Sequence, residues 1–283
     1  MLPKKMLFPV GGGDELATRI YGALLVSKSF NTHLEIQLSE ANVHTGVPKG
    51  MVIPNEIIEK LEKVQINNLK TTMDRHRKIF DECCAKLNVT QSETPLDGKS
   101  TAHLTITAGL RSTVVAQQTK FCDMVIAAAP QKGVTTATFE AAVTESGKPV
   151  MVIPRSLKEF KADEIIIGWN NSAEASRAVS EAIPLMKRAK RVHIVSSEAY
   201  TTENLTRIRD LKNYLLIHGI ETTFELIKTT FIPGEALLRS AKEGGFNLIV
   251  AGAYGHKGLK EIMLGGSSRH LLEHTTVPTL VSH

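Results

Sequence analysis

The sequence predicts an α/β protein with a doubly wound parallel sheet, built twice along 283 residues. Short, continuous apolar runs alternate with segments of helical periodicity from one end of the chain to the other, the rhythm of parallel strands joined by crossover helices. The pattern stops at a polar, charged stretch, residues 154–163, and then restarts. Near the end, the apolar run at residues 248–251 empties into a glycine-rich loop that leads into a helix start.

Each element has a local reason. Lys5 to Val10 is a short apolar run ending at Gly11, Gly12 and Gly13, and Asp14 opens a segment with apolar residues at Leu16, Ile20, Ala23 and Leu24. This reads as strand, tight turn, helix. Leu34, Ile36 and Leu38 alternate with polar residues as a second strand would, and a loop with Gly46, Pro48, Gly50 and Pro54 follows. Residues 54–87 carry one long amphipathic pattern through Ile57, Leu61, Val64, Phe80, Cys83, Cys84 and Leu87. A helix of that length spans about 50 Å at 1.5 Å per residue, so it overhangs an ordinary domain; a crossover helix over one sheet face is favoured over a partner-binding arm. Strands are expected at residues 104–107, 124–129 and 150–153, with a helix from Gly109 to Lys120 and another around Ala141. In the second half, strands are expected at residues 164–169, 192–195, 222–227, 248–251 and 279–281, and Asn170, Asn171 and Ser172 form a turn and helix cap. The intervening segments 175–186, 203–218 and 235–242 have helical faces.

The halves can be laid over one another. Lys5 to Val10 matches residues 164–169, Ala128 matches Gly252, and Pro149 matches Pro278. The last two matches differ in offset by five residues, so the first half is shorter in the region of the glycine loop. It has Ala128 and Gln131 where the second half has Gly252 and Gly255, and nothing like Gly265-Gly266-Ser267-Ser268. Without those glycines a backbone cannot approach a phosphate as closely, so a nucleotide site is expected in the second half alone.

Composition narrows the class. Hydrophobic content of 42% and charged content of 22% are those of a globular chain able to bury a core. The net charge of +5 comes from dispersed Lys and Arg with no long basic run, which argues against nucleic acid as a partner. The amino-terminal apolar run is too short for a signal-peptide core or a membrane span, so a cytoplasmic location without a membrane is expected. Cys83, Cys84 and Cys122 make neither a CxxC pair nor zinc spacing and read as small core residues. His270 and His274 are four apart on an expected helix, but with no convincing third ligand they predict no metal centre.

Residues 248–268 concentrate the chemistry. Glycines let backbone N–H groups approach a ligand, and a helix N-terminus adds unpaired donors and a positive partial charge, which suits a phosphate. By spacing alone, phosphate binding and a plain turn both stand. The pattern Gly252-x2-Gly255-x9-Gly265 followed by small residues resembles the nucleotide-binding signature of the universal stress proteins, with Gly266 where that family more often has Ser or Thr and Ser267 and Ser268 beside it. The two-copy arrangement resembles the tandem members of that family over essentially the whole chain. The resemblance implies two Rossmann-like, five-stranded domains, 1–154 and 162–283, pairing through their last strands as a pseudo-dimer, or forming a homodimer. It implies ATP or ADP, with Mg²⁺, at the strand carboxyl ends of the second domain.

Carried over by position, the resemblance puts Asn170 at the ribose, Ser197 near the adenine through its backbone, and Gly252, Gly255, Gly265, Gly266, Ser267 and Ser268 around the phosphates. For Asn170 a cap role stands equally beside the ribose role. His256 and Lys257 lie inside the loop, where phosphate contact and solvent exposure both stand. There is no GxxxxGK[ST] motif and no acid–base or nucleophilic constellation, so fast catalysis is not expected, although slow ATP hydrolysis stays open. An enzyme such as a nucleotidyl transferase or ligase would need catalytic side chains that the sequence does not offer. The other alternative is a vestigial site in a binding module whose first domain recruits a protein or an apolar ligand.

Overall fold

The computed structural model describes residues 2–11, 13, 15–40, 55–108, 111–131, 136–198, 201–228, 233–253 and 266–283, with side chains for all of these except residues 40, 55–63, 65–66, 68–69, 108, 111, 201–205 and 266–269. The first half contributes β1 (Lys5–Val10), α1 (Leu16–Phe30), β2 (His33–Glu40), α2 (Asn55–Leu87), β3 (Thr90–Gln91), β4 (Thr101–Ala108), α3 (Arg111–Gln118), a 3-10 turn, β5 (Met124–Ala128), α4 (Ala137–Thr144) and β6 (Val150–Ile153). The second contributes β7 (Glu164–Gly168), α5 (Ala173–Met186), β8 (Arg191–Ser197), α6 (Thr201–Ile217), β9 (Thr223–Ile227), α7 (Pro233–Glu243), β10 (Leu248–Gly252), α8 (Gly266–His274) and β11 (Thr279–Ser282).

All these strands lie in one 11-stranded sheet, ordered β3-β4-β2-β1-β5-β6-β11-β10-β7-β8-β9. Pairing is parallel within each half, as expected of strands that are apolar on both faces, such as Ile165, Ile166 and Ile167, all fully buried. The halves meet where β6 and β11 pair antiparallel, Val150 opposite Val281, Met151 opposite Leu280 and Val152 opposite Thr279. The expected pseudo-dimer is therefore a single continuous sheet. One apolar cluster crosses the seam, joining Met151 and Ile153 to Ile165 and Leu280.

The first half departs from five strands. Asn88, with φ +52, ends α2 in the left-handed region, and Val89 is buried beyond it. Thr90 and Gln91 then run parallel to β4 as a sixth strand at the sheet edge. The stretch is polar and only two residues long, which hides it from periodicity.

The long helix is continuous over 33 residues. Its last turns carry Phe80, Cys83, Cys84 and Leu87, all buried against the α1 layer, where the Cys83 thiol donates to the Ala17 carbonyl at 3.5 Å. Earlier in the helix Val64 is exposed. The stretch expected to be a linker is also pinned: Leu157 is buried beside Gly22, and the Phe160 ring packs on Phe30 with centroids 5.9 Å apart.

All three cysteines are free and buried. Burial pushes the Cys84 thiol up to about 12 and the Cys122 thiol up to about 11, so both stay protonated and poorly nucleophilic. Native protein at about pH 8 is expected to resist iodoacetamide at all three positions, and all three are expected to react after unfolding in guanidinium; mass spectrometry of the adducts checks this.

Candidate functional site

Three adjacent strands, β10, β7 and β8, end together on one edge of the second half. The crossover from β10 to its parallel neighbour β11 runs α8 back against the strands, which puts the N-terminus of α8 at that same edge. The edge is where open parallel sheets present ligand crevices.

β7 stops at Gly168, and Trp169 N–H still donates to the Val195 carbonyl at 2.8 Å. The chain then turns through Asn171, whose φ of +60 an asparagine tolerates. Asn170 Oδ1 accepts from Ser172 N–H at 3.1 Å, and Ser172 Oγ accepts from Ala175 N–H at 3.1 Å, so the two side chains together satisfy amides at the start of α5. The cap role of Asn170 is thus present. Ser172→Ala is expected to cost about 1 kcal/mol, read as a lowered denaturation midpoint.

Ser197 is the last residue of β8, 9% exposed, and pairs in register with Ile227. Gly252 ends β10 opposite Ser282. Its glycine identity has a packing cause: a Cβ there would stand 2.5 Å from the Ala175 nitrogen and 2.9 Å from the Glu174 carbonyl carbon. The start of α5 therefore lies directly on the end of β10. Asn170, Ser197 and Gly252 thus gather on neighbouring strand ends. Gly266, Ser267 and Ser268 open α8, while Gly255, Gly265, His256 and Lys257 lie outside the described residues.

Several groups at this edge escape a sequence reading. Glu174 is 3% exposed in the first turn of α5, where a helix N-terminus favours a carboxylate, and it pairs with Arg177 Nη2 at 3.2 Å. Arg177 Nε in turn donates to the His283 carbonyl at 3.0 Å. The signal was present in the repeat: Glu174 lies over Glu15 at the offset that matches Lys5 to Glu164. Trp169 Nε1 and Ser196 Oγ are buried without a hydrogen-bond partner among the described residues, and both sit at these strand ends. They give the edge unspent donors.

The first half treats the same positions differently. Glu15 accepts from Arg155 Nε at 2.7 Å, and Arg155 Nη1 reaches the Ala129 carbonyl just past β5 at 3.4 Å. Arg19 Nη2 donates to the Gly11 carbonyl just past β1 at 3.1 Å. Two guanidinium groups therefore cap the strand-end carbonyls there. At α8, His270 and His274 stack with centroids 4.2 Å apart, and His274 Nδ1 meets the His270 carbonyl at 3.0 Å.

Fold and site together define a tandem Rossmann-like α/β protein whose neighbouring parallel strands end side by side at one edge. Residues 170–283 match the model of the universal stress protein family. Universal stress protein YxiE of Bacillus subtilis (strain 168) is 26% identical over an alignment of 144 residues, taking in 42% of this chain and 97% of that one. Over the whole length, the fold is shared with a universal stress protein from Archaeoglobus fulgidus DSM 4304 at TM-score 0.68 and 14% identity, covering 98% of this chain and 97% of the other. A protein of unknown function from Pseudomonas aeruginosa PAO1 is similar at TM-score 0.54 and 16% identity, covering 99% and 92%. The second half is thus similar to the universal stress protein family, and the whole chain shares the fold of a solved universal stress protein. Among the described residues, no helix is long and apolar enough to cross a membrane.

Proposed function

We propose that the second half binds ATP or ADP with Mg²⁺ at the ends of β7, β8 and β10, and that the protein serves in the cytoplasm as a nucleotide-responsive stress factor instead of a fast enzyme. The carrying observation is the convergence of Asn170, Ser197 and Gly252 on adjacent strand ends, with α8 opening on Gly266, Ser267 and Ser268 at the same edge. The donor chemistry fits such a ligand: helix N-terminal amides suit phosphates, and the unpaired Trp169 Nε1 and Ser196 Oγ supply donors nearby. Asn170 would turn its amide nitrogen to a ribose hydroxyl while its oxygen keeps the α5 cap. Gly255, Gly265, Ser267 and Ser268 would approach the phosphates, and Gly252 would hold the strand end against α5. Bound Mg²⁺ would neutralise phosphate charge. The capped strand ends of the first half, held by Arg19 and Arg155, support a single nucleotide site. Output would then come from a conformational or partner-binding change.

Calorimetry with ATP and ADP, each with and without Mg²⁺, tests this reading, together with mass spectrometry of small molecules released on denaturation. Binding near one nucleotide per chain, lost in Gly265→Val, is expected. Absence of binding in the wild type, or binding indifferent to Gly265→Val, would remove it.

A further inference from the structure

In the first-half sheet, β2 and β4 are apolar on one face and polar on the other, whereas β1, β5 and β6 are apolar on both. On the side of α1 and α2, β2 presents Leu34, Ile36 and Leu38 to the large core. The opposite face is the one on which Leu7 shares a buried apolar cluster with Val115 of α3. There β2 carries His33, Glu35, Gln37 and Ser39, and register sets them beside Thr101, His103, Thr105 and Thr107 of β4.

Near the amino ends of the strands this polar face satisfies itself. His33 Nδ1 meets Thr101 Oγ1 at 2.8 Å, and Thr105 Oγ1 donates to Glu35. Near the carboxyl ends it does not. Gln37 is 4% exposed and Ser39 2%, yet Gln37 Oε1, Ser39 Oγ and Thr107 Oγ1 have no hydrogen-bond partner among the described residues. Buried polar groups are paired in the great majority of cases, so three orphans on one face within two register pairs call for a partner from outside.

The second half shows that the fold does not demand these groups. Glu35 sits beside Leu7 as His193 sits beside Ile166, which sets Gln37 over Val195 and Ser39 over Ser197. His103 sits beside Glu35 as Thr223 sits beside His193, which sets Thr107 over Ile227. Two apolar residues in one half are thus replaced by an amide and a hydroxyl in the other, with no hydrogen bond from Gln37 Oε1 or Thr107 Oγ1 gained among the described residues.

We propose that the carboxyl ends of β2 and β4, on the α3 face, form a binding site for an uncharged small molecule that donates hydrogen bonds, held by Gln37, Ser39 and Thr107. The orphaned atoms are oxygens, all able to accept, which selects a ligand rich in N–H or O–H groups. An anion is disfavoured: Glu35 lies one pair below on the same face, and Arg19 and Arg155 are engaged with Gly11, Ala129 and Glu15. Nucleosides and monosaccharides share the required chemistry, and a glutamine amide also matches the edge of adenine. The site stands independently of the nucleotide reading for the second half.

The full chain would be titrated by calorimetry with adenosine and cytidine in one arm and with ribose and glucose in the other, each repeated in excess Mg-ATP. Saturable 1:1 binding in one arm is expected, persisting in Mg-ATP, weakened at least tenfold in Gln37→Leu and in Thr107→Val, and unchanged in Gly265→Val. Thermal melts of both first-half variants confirm that they remain folded. No binding in either arm, or binding that survives Gln37→Leu, overturns the proposal, as would a crystal structure showing ordered water bonded to all three oxygens. Failure of ATP to bind would instead count only against the second-half site.

Discussion

Gly252→Val is expected to lower stability by at least about 3 kcal/mol, because any side chain there is driven into the backbone of Glu174 and Ala175. The flexible end of a neighbour could swing aside, but the first turn of α5 cannot move without breaking the Asn170 and Ser172 caps and the Glu174 to Arg177 pair. Gly168 makes the internal control. A Cβ there meets the Leu237 Cδ2 methyl at 2.6 Å, the tip of a mobile side chain, so Gly168→Ala is expected to cost only about 1 kcal/mol. Guanidinium unfolding of both variants checks the ranking. Equal costs would mean that α5 is not seated on β10 as described. The same geometry explains why Gly265 and not Gly252 is the position at which to probe ligand binding: loss of nucleotide in Gly252→Val would follow from misfolding alone.

Val152→Pro should act on both halves at once. Val152 is fully buried in β6, which is hydrogen-bonded to β5 on one side and to β11 on the other. Proline removes a ladder donor and cannot sit in a central strand, so a loss of about 3 kcal/mol or more is expected. The chain has one tryptophan, Trp169, and it lies in the second half. A first-half substitution that moves the Trp169 fluorescence transition to lower denaturant would show that the apolar cluster across the β6–β11 seam couples the halves. If that transition stays in place while circular dichroism shows an earlier one, the halves unfold separately.

Much of the fold was legible because parallel strands buried on both faces must be continuously apolar. Residues 164–169 and 248–251 could be nothing else, and the repeat fixed their neighbours. What stayed hidden has a physical reason in each case. β3 is too short and polar to leave a period. The antiparallel seam leaves no trace in periodicity, since β6 and β11 would be apolar in any central position; only the family resemblance implied it. In the site, Asn170 and Ser172 were legible as a cap because turn chemistry is local. The packing cause of Gly252 was not, because it depends on a helix that begins some eighty residues earlier. The orphaned oxygens of Gln37 and Thr107 were equally silent: alternation shows which residues share a face, whereas the lack of a partner emerges only once every neighbour is placed.

The antiparallel junction of β6 with β11 also bears on how such a chain can change. Two identical copies joined by a twofold axis would inherit every substitution in duplicate, so a crevice could be altered only by altering both. Here the two related surfaces lie on one chain and answer to different codons. One crevice can keep Val195 and Ile227 while the other takes Gln37 and Thr107, and the shared sheet continues to hold both in place. Joining the copies end to end frees them to diverge.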